Sequence, residues 1–297
     1  MTTATGFDRV RLTSASRLRS LRLGDLTITH VPDGLVRLKP HGWLPAATDA
    51  DWASYPDHLD DEGLLVASIG GLLVERGDRA LLIDTGFGPE SYPDDPANPL
   101  FAAIHGGELP DGLRSLGREP SRVESVAITH LHTDHLGWAW STTPGADARP
   151  FAHAPHFVAG PEWERRDLAA EGGATEERLA AFAPQVRTVE DGEEIFPGVR
   201  ASFAAGHTVG HTTYTITGGG RRLIAFGDAL HAPIQVTHPE WSCGIDHDPA
   251  ESAEQRRRLV HELSRPDTLG YGCHFADVVF GRAEGRPDGR FTWVPVA

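Results

Sequence analysis

The sequence predicts one α/β domain over residues 21–297, preceded by an N-terminal arm over residues 1–20. Three observations predict it. Short apolar, β-branched runs recur at strand length along the chain. Helix-like stretches lie between them, and no compositional break marks a linker. The chain has 297 residues, 39% of them hydrophobic, enough for a sizeable core. Its 27 basic and 42 acidic residues leave a net charge of −15 with His neutral, a field that repels nucleic acid. An anionic small substrate is still compatible, because divalent cations would reverse the sign locally. Two cysteines, Cys243 and Cys273, cannot build a disulfide framework and are expected to be reduced and buried. No run approaches the length of an apolar membrane span, so no membrane partner is expected. Arg9, Arg11, Arg17, Arg19 and Arg22 are followed by no apolar stretch and do not read as a secretory signal. The expected location is the cytoplasm.

The elements follow in order. The arm is polar and Arg-rich and reads as loosely held, with packing on a partner subunit as the alternative. Residues 26–31 alternate like a strand, Pro32-Asp33-Gly34 supplies a turn, and 36–38 return as a second strand. Residues 40–62 are an insertion whose Trp43, Trp52 and Tyr55 could fold over a cleft. Residues 64–69 and 71–75 read as paired strands, and 80–83 as a short strand ending in Asp84-Thr85-Gly86. A Pro-rich loop leads to a short helix at 113–116 and a buried strand at 123–128. Residues 138–150 read as a loop opening with Trp138 and Trp140, and 155–158 as a strand. Residues 162–170 and 176–182 have helical composition, joined by Gly172-Gly173. Strand patterns resume at 186–189, 199–204, 213–217 and 222–226. The clearest helix is 249–263, with Ala253, Leu259, Val260 and Leu263 apolar among charges; strands at 277–280 and 291–296 close the chain.

The chemistry concentrates at residues 129–137, T-H-L-H-T-D-H-L-G. His130, His132, Asp134 and His135 fall within six residues at the end of an apolar strand. Alternation puts His130, His132 and Asp134 on one side, while His135 needs the chain to turn, which Gly137 permits. That pattern suits two adjacent ions better than one. Further donors follow other strand patterns: His207 in a Gly-punctuated loop, Asp228 after 222–226, and His274 after Leu269. Imidazole and carboxylate donors suit zinc and other borderline divalent ions, and a bridging carboxylate lets seven donors serve two of them. His211, four residues after His207, reads as a supporting or structural group, and His231 follows Asp228 by three.

These motifs together resemble the metallo-β-lactamase-fold hydrolases over residues 21–297. The resemblance implies a four-layer αβ/βα sandwich of two mixed sheets with outer helices, and a dinuclear site at one edge. It implies that His130, His132 and His207 bind the first metal, that Asp134, His135 and His274 bind the second, and that Asp228 bridges. Asp84 matches the family's first motif and supports a ligand without touching metal. A homodimer is also compatible with the family.

A water between two such ions becomes a hydroxide nucleophile near neutral pH, with Asp134 placed to orient it and take its proton. That machinery cleaves esters, lactones, thioesters and phosphoesters alike. Asp228 stands where true class B β-lactamases usually carry Cys, which disfavours lactams. His132 stands where flavodiiron relatives carry Glu. The G-H-T-V-G-H-T segment at 206–212 and G-D-A-L-H at 227–231 look like the lactonase and organophosphate-hydrolase branch. Quorum-quenching lactonases typically place Tyr where His231 stands, and His231 could donate a hydrogen bond to a substrate oxygen. The expectation is a two-zinc hydrolase of an ester or lactone in a small, partly apolar molecule. Its alternatives are a thioesterase of the glyoxalase II kind, a phosphotriesterase, and, in another class, a mononuclear-iron persulfide dioxygenase.

Overall fold

A computed structural model describes residues 9–296. The first sheet holds β1 (Arg19–Leu23), β2 (Leu26–Leu38), β3 (Leu65–Arg76), β4 (Arg79–Ile83), β5 (Ser91–Tyr92), β6 (Phe101–His105), β7 (Ser125–Ala127), β8 (His156–Ala159) and β9 (Val186–Val189). Their order is β5-β6-β2-β3-β4-β7-β8-β9, with β1 also paired to β2. The second sheet follows chain order through β10 (Glu194–Phe196), β11 (Val199–Phe203), β12 (Thr212–Gly218), β13 (Arg221–Ala225), β14 (Thr268–Tyr271), β15 (Phe280–Gly285) and β16 (Phe291–Pro295). Apolar residues of both inner faces, among them Ile28, Val74, Leu81, Ala201, Ile216 and Leu223, form the central core. Outside the first sheet, helices Leu109–Ser115, Thr133–Trp140 and Glu176–Phe182 bury Leu113, Leu136 and Phe182 against it. Outside the second, helix Pro249–Leu263 lays Leu259, Val260 and Leu263 on Phe226, Phe275 and Trp293. The helix starts where Asp248 accepts from the Ala250 and Glu251 amides and Pro249 fills a position that needs no donor. The result is the expected αβ/βα sandwich.

Two parallel pairs position the site. β4 runs parallel to β7, and β13 runs parallel to β14. Parallel neighbours end at the same edge of their sheet, where α/β proteins collect ligands. The C-terminal ends of these four strands lead directly into Asp84, Thr129-His130, Asp228 and His274.

Several sequence expectations are corrected. The turn at Pro32-Asp33-Gly34 does not reverse the chain; β2 passes through it with a shift of register against β3. Two features hold it extended. The buried Asp33 carboxylate accepts from the Phe87, Gly88, Gly107 and Leu109 amides and the Trp138 indole. A Cβ on Gly34 would lie 1.9 Å from the His105 carbonyl oxygen, so β6 can approach only a glycine. β3 likewise continues through Gly70-Gly71 rather than forming two strands. Residues 40–62 fold into the short helices Pro40–Trp43 and Asp49–Ser54, the second closed by a reciprocal Thr48–Asp51 capping box. Trp138 and Trp140 lie on helix Thr133–Trp140, not in a loop, and the Trp138 bond to Asp33 draws that ring into the core. The expected strand at 277–280 begins only at Phe280, because Asp277 turns aside to meet Arg19 at 2.5 Å and Arg11 at 3.6 Å. Those contacts bind the described part of the arm to its own chain, with Leu12 packed in the outer core. Residues 1–8 of the expected arm lie outside the described residues.

Candidate active site

The His-rich stretch is a strand end followed by a helix start. His132 is the N-cap of helix Thr133–Trp140, so Asp134 and His135 fall in its first turn. The helical turn, not Gly137, brings His135 back to the cluster. Gly137 instead sets how closely the helix packs. A Cβ there would lie 1.9 Å from the Phe87 carbonyl carbon, so only glycine lets this helix approach the loop after β4. Asp84 sits in that loop with φ 60°, a left-handed conformation that Asp tolerates better than most residues.

The structure gathers all seven expected metal-ligating residues around one point. Two groups stand out, His130, His132, His207 and Asp228, and His135, Asp228, Cys273 and His274. Within each, the potential ligand atoms lie within 4.8 Å of one another. Asp228 belongs to both. Its Oδ1 is 3.1 Å from Nε2 of His135 and of His274, and its Oδ2 is 3.5 Å from Nε2 of His207. Asp134 approaches the second group, 3.8 Å from His135 Nε2 and 3.5 Å from His274 Nε2.

Outer hydrogen bonds set the tautomers. His274 Nδ1 faces the Ser68 carbonyl at 2.8 Å, an oxygen that can only accept. Its proton is therefore on Nδ1, and the Nε2 lone pair points inward. His135 Nδ1 donates to Asp84 Oδ2 at 2.8 Å and His207 Nδ1 to Asp246 Oδ1 at 2.8 Å. Thr129 gives its hydroxyl proton to Asp84, so its oxygen accepts from His130 Nδ1 at 3.0 Å. His132 Nδ1 faces His207 Nε2 at 3.1 Å, so the His207 lone pair meets either the His132 ring proton or a cation shared by both rings. His130 Nε2, His135 Nε2 and Asp228 Oδ1 are buried without a hydrogen-bond partner. Burial holds His130 and His132 well below the ordinary imidazole value, which keeps them neutral as ligands. Burial also opposes charge on His135 and His274. Nearby groups outweigh it, above all Asp228 and Asp84 at His135 and Cys273 and Asp228 at His274, so positive charge, supplied by a proton or by a bound cation, is favoured there. The donor set fits two divalent cations.

The supporting residues have clear places. Asp84 clamps the Thr129 amide as well as His135. His211 Nδ1 donates to the Ala204 carbonyl, leaving Nε2 to accept from the Asp228 amide at 3.0 Å. His231 is fully buried, with Nε2 at 3.2 Å from Asp228 Oδ2 and its ring edge-on to Trp43. Three important carboxylates carry no local signal in the sequence. Asp246 joins His207 to the buried Arg256. Glu162 accepts from the Leu131 amide, the Thr208 hydroxyl and the Gly210 amide, joining the two His-bearing loops. Asp33 anchors the helix that carries His135 through Trp138. Each is recruited from far along the chain, which spacing cannot reveal.

Two cavities meet at His132. One, of about 380 Å³, has apolar walls that include Val36, Leu38, Trp43, Leu100 and Phe101, with Asp134 and His274 at the metal-facing end. The other, of about 440 Å³, is more polar and is lined by Glu162, Arg165, Thr208, Asp246 and His247. Of the four Trp singled out in the sequence, Trp43 lines the apolar cavity. Trp52 packs on Trp241, Trp138 is buried in the outer core, and Trp140 stacks under Arg178.

The family model described as Metallo-beta-lactamase superfamily matches residues 72–272. The chain belongs to that superfamily. A probable metallo-hydrolase of Mycobacterium tuberculosis is 28% identical over 235 residues, which cover 70% of this chain and 74% of the relative. An N-acyl homoserine lactonase of a Bacillus species is 25% identical over 228 residues, covering 73% and 85%. The solved structure of AidC, a dizinc quorum-quenching lactonase, matches with a TM-score of 0.80 at 22% identity, covering 96% of this chain and 99% of that one. At that identity the match shows the shared fold. No helix among the described residues is long and apolar enough to cross a membrane.

Proposed function

We propose that the chain is a dinuclear zinc hydrolase that cleaves an ester or lactone bond in a small, partly apolar substrate. The observation that carries this reading is the position of the donor cluster, which forms one polar end of a mostly apolar cavity whose wall also holds the Glu90–Arg178 ion pair. Lactonases among its relatives support the same bond class. Zinc is favoured by the imidazole and carboxylate donors, and two unpaired buried thiols favour a reducing compartment, the cytoplasm.

Two divalent ions held there would polarise a carbonyl and activate a water at neutral pH. His130, His132 and His207 would hold the first. Asp134, His135 and His274 would hold the second, and Asp228 would reach both. Asp134 is the carboxylate of the donor cluster that opens on the cavity, with 20% of its side chain exposed, so it is placed to take a proton and pass it to a leaving group. Val36, Leu38 and Phe101 exclude water and accept an acyl or aromatic arm. The polar cavity on the other side of His132 accepts the alcohol portion. His231 lines neither cavity, so we assign it to holding Asp228 rather than to touching substrate.

The test is metal analysis and a substrate panel on one preparation. Two ions per chain and turnover of lactones or aryl esters are expected. Well under two ions, with no rescue by added zinc, refutes the metal assignment. Turnover confined to thioesters or phosphotriesters moves the bond class. Oxygen uptake with a persulfide by the iron-reconstituted chain would replace hydrolysis with the oxygenase reading.

A further inference from the structure

The two halves of the donor cluster are not chemically alike. Cys273 is buried one residue before His274. Its sulfur lies within 4.8 Å of ligand atoms on His135, Asp228 and His274, which lie equally close to one another. Zinc–nitrogen bonds of about 2.0 Å and zinc–sulfur bonds of about 2.3 Å put neighbouring tetrahedral donors roughly 3.3–3.8 Å apart. The two 3.1 Å approaches of Asp228 Oδ1 to the imidazoles are close to that spacing. A second observation points to the same place. His135 Nε2 and Asp228 Oδ1 are fully buried and unpartnered, and both residues offer these donors within 4.8 Å of the sulfur. Asp134 reaches this centre from the cavity side, while Cys273 belongs to the dry core between the sheets. The other thiol, Cys243, lies in a separate apolar cluster and belongs to no group of three or more such donors among the described residues.

We propose that Cys273 is a ligand of the second metal, which gives that centre a thiolate donor beside His135, His274 and Asp228. The proposal rests on the dinuclear reading only in requiring a cation at that centre. As the metal enters, the thiol coordinates as thiolate and its proton passes to solvent; no electrons change hands. The first centre then has three nitrogens and an oxygen, and the second has sulfur. A sulfur donor makes the second centre softer. It favours zinc and cadmium there over manganese or magnesium, which prefer oxygen.

The test loads the full chain with cobalt(II) and reads its near-ultraviolet spectrum, with metal content measured on the same sample. Wild type should show a sulfur-to-cobalt charge-transfer band. Cys273→Ala should abolish it, and Cys243→Ser should keep it. Cys273→Ser, which keeps the size of the side chain, serves if the alanine variant does not fold. Two bound cobalt ions without the band in wild type overturn the thiolate assignment and leave the hydrolase reading standing. A band that survives in either Cys273 variant overturns it as well. A chain that binds neither cobalt nor zinc overturns both.

Discussion

Asp246→Asn tests whether a residue invisible in the motif pattern controls the first metal centre. Asp246 is fully buried, and its two oxygens divide their work. Oδ1 accepts from His207 Nδ1 at 2.8 Å, while Oδ2 meets Arg256 at 3.2 Å and accepts from the Cys243 amide at 3.0 Å. An asparagine can keep one acceptor for His207 but presents an NH2 group to Arg256 and the Cys243 amide. The Arg256 side chain has no exposure, so its charge loses its carboxylate without gaining water. Breaking a buried pair from one side costs about 3–5 kcal/mol. Arg256 also donates to the Pro239 carbonyl and to the Ser252 and Ser242 hydroxyls, so the low end, about 3 kcal/mol, is expected. Weakening the group that orients a ligand imidazole lowers metal affinity by about 10–100-fold. Urea unfolding of the metal-free chain reads the first number, and chelator competition reads the second. A stability loss under about 1 kcal/mol together with unchanged affinity for both ions would refute this account of Asp246.

Further outcomes follow from other contacts. Burial opposes charge on Asp246, but the His207 hydrogen bond and the charges of His207, His231 and Arg256 outweigh it, so its carboxyl lies below the ordinary value of 3.8. Its charged form therefore stabilises the fold above pH 3.8, and that contribution disappears as pH falls through the lowered folded value. Acid titration of stability should show a shallower loss in Asp246→Asn than in wild type. Asp228→Ala should reduce metal content at both centres, and full retention of two ions would break the bridging assignment. His231→Ala should weaken metal binding without changing the preference among substrate acyl lengths; a shifted length profile would put His231 against substrate after all. Asp33→Ala strands five donors, four of them buried, and each buried one costs on the order of 1–3 kcal/mol unless water enters, so a loss of at least about 4 kcal/mol in denaturant titration is expected.

The proposed ligand residues are legible in the sequence because each follows an apolar strand pattern, and parallel pairing brings such ends to one edge. His130 after β7 and His274 after β14 are examples. Their support is illegible for the same reason in reverse. Asp246 lies 39 positions from His207 in no regular element, and Glu162 lies 31 from Leu131 in the five-residue helix Gly160–Glu164, too short a stretch to mark its direction. The turn expected at Pro32-Asp33-Gly34 shows how local chemistry loses to tertiary contacts. Its residues favour reversal, but the donors gathered by Asp33 and the close pass of β6 at Gly34 keep the strand extended. Trp138 reads as a loop residue because its local context hides a partner, Asp33, 105 positions away.

The seam between the two sheets has one further consequence. Asp84, His130, His132, Asp134 and His135 follow strands of the first sheet, whereas His207, Asp228 and His274 follow strands of the second. Each ion would therefore draw donors from both halves of the sandwich and act as a rivet across it. Sliding one sheet over the other by an ångström would change both coordination spheres at once. Loading the cations and locking the halves together become a single event, with Asp228 as the pin they share.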